Sequence, residues 1–347
     1  MNNWEIIGHK RAVNLLSRSI ERGRINHAYL FSGIPGIGKT TLATTFTKAL
    51  NCTSDVKPCN ECRNCRSISK RTHPDIRLLQ VAAGQAEAAG EERTSRAGKG
   101  HTIGIEQIRE LQRDTSLLPY EGKWKVYIIR NAEDMTIEAA NCLLKTLEEP
   151  PSSVVLILTC ADAKILPATI VSRCQQVNLW PLATADVETA LQQRYSLTAE
   201  EAGMIAHVSN GRIGWALEAA ADTSVISERE SRLLRIIDLA TASRTERFKY
   251  ADEVATSFNR DPMIVYATLD LWLTWWRDLL LIKNSCRELI TNLNMVPRLT
   301  EQAMKYTVEQ LYGFLVAIEA TRNQLEQNVN AKLALEVMML NVPQAHN

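Results

Sequence analysis

Gly33-Ile34-Pro35-Gly36-Ile37-Gly38-Lys39-Thr40 fits G-x-x-x-x-G-K-[ST] at every position, and this constrains the fold more than any other feature of the chain. The pattern cradles phosphate only where a strand leads into it and a helix leads out. Both flanks are present. Ala28 to Ser32 is a short apolar run, and Thr40 to Leu50 has helical character. The glycines let backbone N–H groups wrap an anion, and the helix N-terminus adds partial positive charge. Lys39 is placed to reach the β/γ-phosphates and Thr40 to hold Mg²⁺. Gly33, Pro35, Gly36, Gly38 and Thr41 complete the candidate nucleotide-binding set, with ATP or ADP as ligand.

Two more apolar runs, Lys125 to Ile129 and Val154 to Thr159, are continuous rather than alternating. Strands buried on both faces of a parallel sheet read this way. Helical stretches at Ile105–Gln112 and Thr136–Glu149 lie between them, which predicts an α/β domain with a parallel sheet. Val81 to Gly104 is small, polar and low in complexity, a surface loop by composition. After Trp180-Pro181 the period is helical to about Val342, with a break near Ser224. Leu269, Trp272, Leu273 and Trp276 recur at helical spacing, which predicts a bundle core rather than a ligand-stacking box.

A hydrolytic P-loop site needs acids at the end of a neighbouring strand to organise Mg²⁺ and orient water. Here the strand at Lys125–Ile129 runs into Arg130 and Asn131. A guanidinium cannot bind Mg²⁺, and an amide cannot take a proton. Glu133 and Asp134 follow closely, and read either as a late substitute for those acids or as N-terminal charges of the next helix.

Cys52, Cys59, Cys62 and Cys65 form C-x6-C-x2-C-x2-C, a spacing suited to tetrahedral Zn²⁺. Four protein ligands would make the site structural. The remaining cysteines, Cys142, Cys160, Cys174 and Cys286, read as small buried side chains. No apolar run approaches bilayer length and MNNWEIIGHKR lacks a signal-peptide core, so a cytoplasmic protein without membrane association is expected. A formal net charge of +1 excludes a global field for nucleic acid, leaving local or shared contacts.

HAYLFSGIPGIGKT (His27–Thr40), the four cysteines, HPD (His73–Asp75), NCLLKTLEEPP (Asn141–Pro151) and LPATIVSRC (Leu166–Cys174) together resemble the clamp-loader subunits of bacterial DNA polymerase III, a branch of the AAA+ family. The resemblance is specific over roughly residues 1–220 and looser beyond. It implies an AAA+ P-loop domain with an inserted zinc module (about 51–66) over residues 1–180, a helical lid over 181–223 and an all-α collar over 224–347. It implies a hetero-pentamer with gamma/tau and delta subunits that loads the beta sliding clamp onto primed DNA. Loss of the acidic pair at Arg130-Asn131 places the chain with the delta-prime branch. In Gly211-Arg212-Ile213-Gly214-Trp215-Ala216-Leu217, Gly214 stands where motor subunits carry a nucleotide-sensing arginine, with Arg212 close by. Arg173, within Ser172-Arg173-Cys174, matches the arginine that the family points into a neighbour's ATP site. Thr159 matches a polar sensor position, or is simply a β-favouring residue in a sheet. The rival readings are a competent gamma/tau-like ATPase, a P-loop kinase acting on a small acceptor, and a scaffold that never binds nucleotide.

Overall fold

The computed structural model describes residues 3–81, 102–258, 262–327 and 329–344; most of the expected Val81–Gly104 loop, residues 82–101, lies outside them. The chain divides into two compact units, Met1–Val187 with Gly211–Trp215, and Glu188–Asn210 with Ala216–Asn347.

The first unit is built on a parallel sheet of β1 (Ala28–Ser32), β2 (Ile76–Leu79), β3 (Lys125–Ile129), β4 (Val154–Cys160) and β5 (Gln175–Asn178), in the order β2-β3-β4-β1-β5. The three inner strands are the three apolar runs. Their side chains alternate between two cores. Tyr29, Phe31, Val126, Ile128, Val155 and Ile157 face one core, while Leu30, Tyr127, Ile129, Leu156 and Leu158 face the other. A strand covered on both faces has no polar position to spare, so its sequence shows no alternation. β2 and β5 are short edge strands with one buried residue between them, Val177. They extend the sheet through backbone pairing and carry little apolar signal.

Helices α1 (Lys10–Glu21), α2 (Lys39–Asn51), α3 (Arg63–Ser69), α4 (Ile105–Thr115), α5 (Ile137–Glu148) and α6 (Ala168–Val171) follow in chain order. Leu42, Phe46 and Leu50 of α2 pack on the first core. Ile108, Leu111, Leu143 and Leu147 of α4 and α5 pack on the second. β1 and β4 run in register with Phe31 beside Thr159 and Ser32 beside Cys160. This brings the C-terminal ends of β1, β4 and β3 together, where parallel sheets bind ligands.

Beyond Pro181 the described chain is helical: α7 (Thr184–Tyr195), α8 (Ala199–Ser209), α9 (Ile213–Ala221), α10 (Ser224–Leu239), α11 (Arg244–Phe258), α12 (Pro262–Lys283), α13 (Val296–Ala303), α14 (Val308–Glu326) and α15 (Ala331–Leu340). Trp272, Trp275 and Trp276 of α12 are fully buried. Trp272 and Trp276 meet Phe314 edge-on, with ring centroids 5.7 and 4.7 Å apart. They are the bundle core that their spacing predicts. No described helix is long and apolar enough to cross a membrane.

Candidate functional site

The P-loop starts where β1 ends. Gly33 N–H donates to the Cys160 carbonyl of β4 at 3.2 Å, and the loop turns through Gly36 and Gly38 at φ 78° and 101°. These are left-handed conformations that glycine adopts without penalty. Gly38 is the N-cap of α2 and offers no capping side chain, so the first-turn N–H groups of α2 are available to an anion. The Lys39 ammonium donates to the carbonyls of Gly33 and Ile34, the latter at 3.2 Å. Burial pushes its pKa down, and the nearby Glu133 carboxylate opposes that shift. Pro35, Gly36 and Thr41 are exposed and Thr40 is half-buried. His9, which the sequence did not single out, braces the loop through a 2.9 Å hydrogen bond between Nε2 and the Ile37 carbonyl.

The Gly211–Trp215 segment closes on this loop. Gly214 N–H donates to the Gly36 carbonyl at 2.7 Å, and a Cβ on Gly214 would lie 2.7 Å from that same oxygen. The position therefore has no room for a side chain, and a backbone contact to the P-loop occupies it. Arg212 lies with its guanidinium carbon 6.0 Å from the centroid of the Trp215 ring.

At the end of β3, Arg130 donates to Gln80 Oε1 at 2.9 Å. Asn131 takes a left-handed conformation (φ 50°), which asparagine tolerates better than most residues. Its N–H donates to Thr159 Oγ1 at 3.1 Å. Thr159 is 1% exposed, so its hydroxyl pins the turn after β3 to the end of β4. Glu133 and Asp134 fall in a 3-10 turn, Ala132–Asp134, ahead of α5. The N-cap of α5 is Thr136, whose hydroxyl accepts from Ala139 N–H, so these acids are not its capping groups. Glu133 Oε1 accepts from Ala161 N–H at 2.8 Å, and burial raises its pKa.

Arg173 lies just past α6, with Pro167 as the N-cap of that short helix. Its guanidinium donates to the Thr169 carbonyl at 2.9 Å and to Glu148 Oε1 at 2.7 Å. The Arg173 side chain is 35% exposed and Glu148 51%. Glu148 belongs to the LEEPP string, whose acids the sequence reading gave no role. Ser172 Oγ donates to the Thr169 carbonyl at 3.2 Å, and burial pushes the Cys174 thiol up to about 12.

Cys52, Cys59, Cys62 and Cys65 bring their sulfurs within 4.8 Å of one another. A tetrahedral zinc with Zn–S bonds of 2.3 Å needs sulfurs about 3.8 Å apart, so the cluster fits the ion. The N–H groups of Cys59, Cys62 and Cys65 donate to the sulfurs of Cys52, Cys59 and Cys62 at 3.3, 3.2 and 3.5 Å. Burial disfavours the Cys62 thiolate, but N–H donors from Cys65 and Thr53 and the neighbouring thiols outweigh it and bring its pKa down to about 6. The module is fastened to the sheet by Asn51, which bonds Trp124 N–H at 2.8 Å and the Trp124 carbonyl at 3.1 Å. The HPD string is also a fastening. Asp75 is 2% exposed and accepts from Tyr120, Glu121 and Gly122 N–H at 2.6, 2.8 and 2.7 Å.

Two family models match the sequence. One described as DNA polymerase III, delta subunit, covers residues 8–183, and one described as DNA polymerase III, delta subunit, C terminal, covers residues 246–344. The chain belongs to the DNA polymerase III delta-subunit family. The first family match contains the P-loop, the cysteine cluster and Arg173. The chain is 28% identical to DNA polymerase III subunit delta' of Bacillus subtilis over 331 residues, covering 95% of this chain and 94% of that protein. It is 32% identical to subunit tau of Escherichia coli over 250 residues, covering 67% of this chain and 36% of that protein. It therefore spans about a third of that tau subunit. A gamma subunit-related protein of Thermotoga maritima superposes with a TM-score of 0.43 at 19% identity, covering 94% of this chain and 97% of that one.

Proposed function

We propose that this chain is the delta-prime subunit of a clamp loader, which holds nucleotide without hydrolysing it and presents Arg173 to the ATP site of a neighbouring motor subunit. The observation that carries the reading is the end of β3. A motor would place acids there, but Arg130 is bonded to Gln80 and Asn131 occupies a left-handed turn. The P-loop beside it is intact in sequence and shape, which supports binding of ATP or ADP with Mg²⁺ through Gly33, Pro35, Gly36, Gly38, Lys39, Thr40 and Thr41, with Thr159 near the terminal phosphate.

Arg173 acts in trans, flanked by Ser172 and Cys174. A guanidinium set beside a γ-phosphate stabilises charge that develops in the transition state. The Glu148 pair that holds it is solvent-exposed, and such pairs are worth about 0–1 kcal/mol. Release to a partner's phosphate gives up this pair and the bond from the guanidinium to the Thr169 carbonyl, while the Arg173 N–H bond to the Ile170 carbonyl keeps its base in place. The four cysteines bind structural Zn²⁺.

In this reading residues 1–180 form the AAA+ domain, 181–223 the lid and 224–347 the collar of a hetero-pentamer with gamma/tau and delta subunits. The assembly loads the beta clamp on primed DNA in the cytoplasm. Steady-state ATP turnover by the purified chain tests the first half of the proposal. We expect nucleotide binding that is lost in Lys39→Ala, with turnover at background. Mg²⁺-dependent turnover that Lys39→Ala abolishes would instead make the chain a motor.

A further inference from the structure

The turn after β3 carries an acid, Glu133, that is linked to the P-loop through the end of β4. Asn131 N–H binds Thr159 Oγ1, which draws the turn toward the end of β4. There Glu133 Oε1 accepts from Ala161 N–H at 2.8 Å. The preceding residue, Cys160, receives Gly33 N–H at 3.2 Å, and the Gly33 carbonyl receives the Lys39 ammonium. A short chain of backbone links thus joins the Glu133 carboxylate to the P-loop lysine. The second oxygen, Oε2, is buried and has no hydrogen-bond partner among the described residues. A buried, unmatched carboxylate oxygen is costly to keep, and this one belongs to an acid close enough to feel the charge of Lys39.

We propose that Glu133 supplies the acid of this nucleotide site, its free oxygen accepting hydrogen bonds from the water shell of a Mg²⁺ ion bound to a nucleoside di- or triphosphate in the P-loop. The proposal rests on the nucleotide-binding reading above and gives that site a metal-positioning residue displaced from the Arg130-Asn131 positions. The electrostatics agree. Burial raises the Glu133 pKa and lowers that of Lys39, and each group's charge partly offsets the shift of the other. A Mg²⁺ ion would complete the compensation. In this proposal Glu133 positions the ion, with Oε1 anchored by Ala161 N–H.

The test measures the affinity of N-methylanthraniloyl-ADP in Mg²⁺ and in EDTA for wild type, Glu133→Gln and Lys39→Ala. Glutamine keeps an oxygen for Ala161 N–H and removes the charge. We expect Mg²⁺ to tighten binding by wild type, and Glu133→Gln to lose about ten-fold of that gain, the scale of an outer-shell metal partner, with its EDTA affinity unchanged. A Glu133→Gln variant that keeps the full Mg²⁺ gain overturns the proposal. So does one that weakens equally in EDTA, because its role is then structural. Wild-type binding without any Mg²⁺ gain overturns the Glu133 assignment alone. Absence of wild-type binding overturns both it and the nucleotide reading.

Discussion

Gly214→Ala is the substitution whose cost follows most directly from the geometry around the P-loop. The added Cβ would stand 2.7 Å from the Gly36 oxygen, 3.3 Å from its carbonyl carbon and 3.6 Å from its Cα. All three are backbone atoms of a loop held by Gly33 and Lys39, so no side chain can swing aside. The clash also forces apart the 2.7 Å hydrogen bond from Gly214 N–H to Gly36. A lost hydrogen bond contributes about 0.5–1.5 kcal/mol and overpacking about 1–3 kcal/mol, so the sum is about 1.5–4.5 kcal/mol. For a unit of this size each kcal/mol moves the melting temperature by about 2–4 °C, which predicts a fall of roughly 3–18 °C. Circular dichroism melting of the purified chain measures it. Gly313→Ala is the control, because nothing lies within 4 Å of its Cβ position in α14 and it should stabilise by about 0.4–1 kcal/mol. Gly214→Arg, with a larger side chain at the same point, should cost at least as much as Gly214→Ala. A Gly214→Ala protein that melts within about 1 °C of wild type would refute the argument that this glycine is required by contact with the P-loop.

Three further outcomes follow from the same structure. Burial raises the Asp75 pKa but its three backbone donors outweigh that and hold it below the ordinary 3.8. The stability it contributes is therefore present above that value and lost as pH falls through the depressed folded value. Asp75→Asn should cost about 1.5–3 kcal/mol at pH 7, and in acid melts the gap to wild type should begin to narrow at about pH 4 and close only through the depressed folded value. Purified protein should carry about one equivalent of zinc, released on acidification as protons compete for the thiolates; under half an equivalent by metal analysis would count against the four-sulfur site. Glu148→Ala should change the chain's own stability by less than about 1 kcal/mol, checked by denaturant unfolding, since its pair with Arg173 is solvent-exposed.

The sheet was readable where burial left its mark. β1, β3 and β4 are apolar at nearly every position because each faces two cores, and their bounds match the expected runs to within a residue. β2 (IRLL) and β5 (QQVN) were missed because an edge strand needs backbone partners more than apolar side chains. α1 and α3 were missed as well, and the parallel order of the sheet rests on pairings far apart in sequence. The P-loop and the cysteine cluster are local motifs, so spacing alone exposed them. Contacts assembled from distant segments carried no such signal. Nothing in the sequence joins Arg173 to Glu148, Gly214 to Gly36, or Asp75 to the Tyr120–Gly122 turn. Glu133 was legible as an acid near the strand end, but its proximity to Lys39 depends on the Thr159 contact that bends the turn.

The central claim is that Arg173 works in a partner's ATP site. Its most direct test is the ATP turnover of the motor subunit assembled with this chain, delta, clamp and primed DNA, comparing wild type with Arg173→Ala. Size-exclusion chromatography reports assembly in the same samples. If Arg173 acts in trans, assembly stays intact and turnover falls about ten-fold or more, with little rescue by Arg173→Lys, which lacks the planar fork of the guanidinium. Unchanged turnover by a fully assembled Arg173→Ala complex would contradict the claim and leave the chain a structural member of the ring.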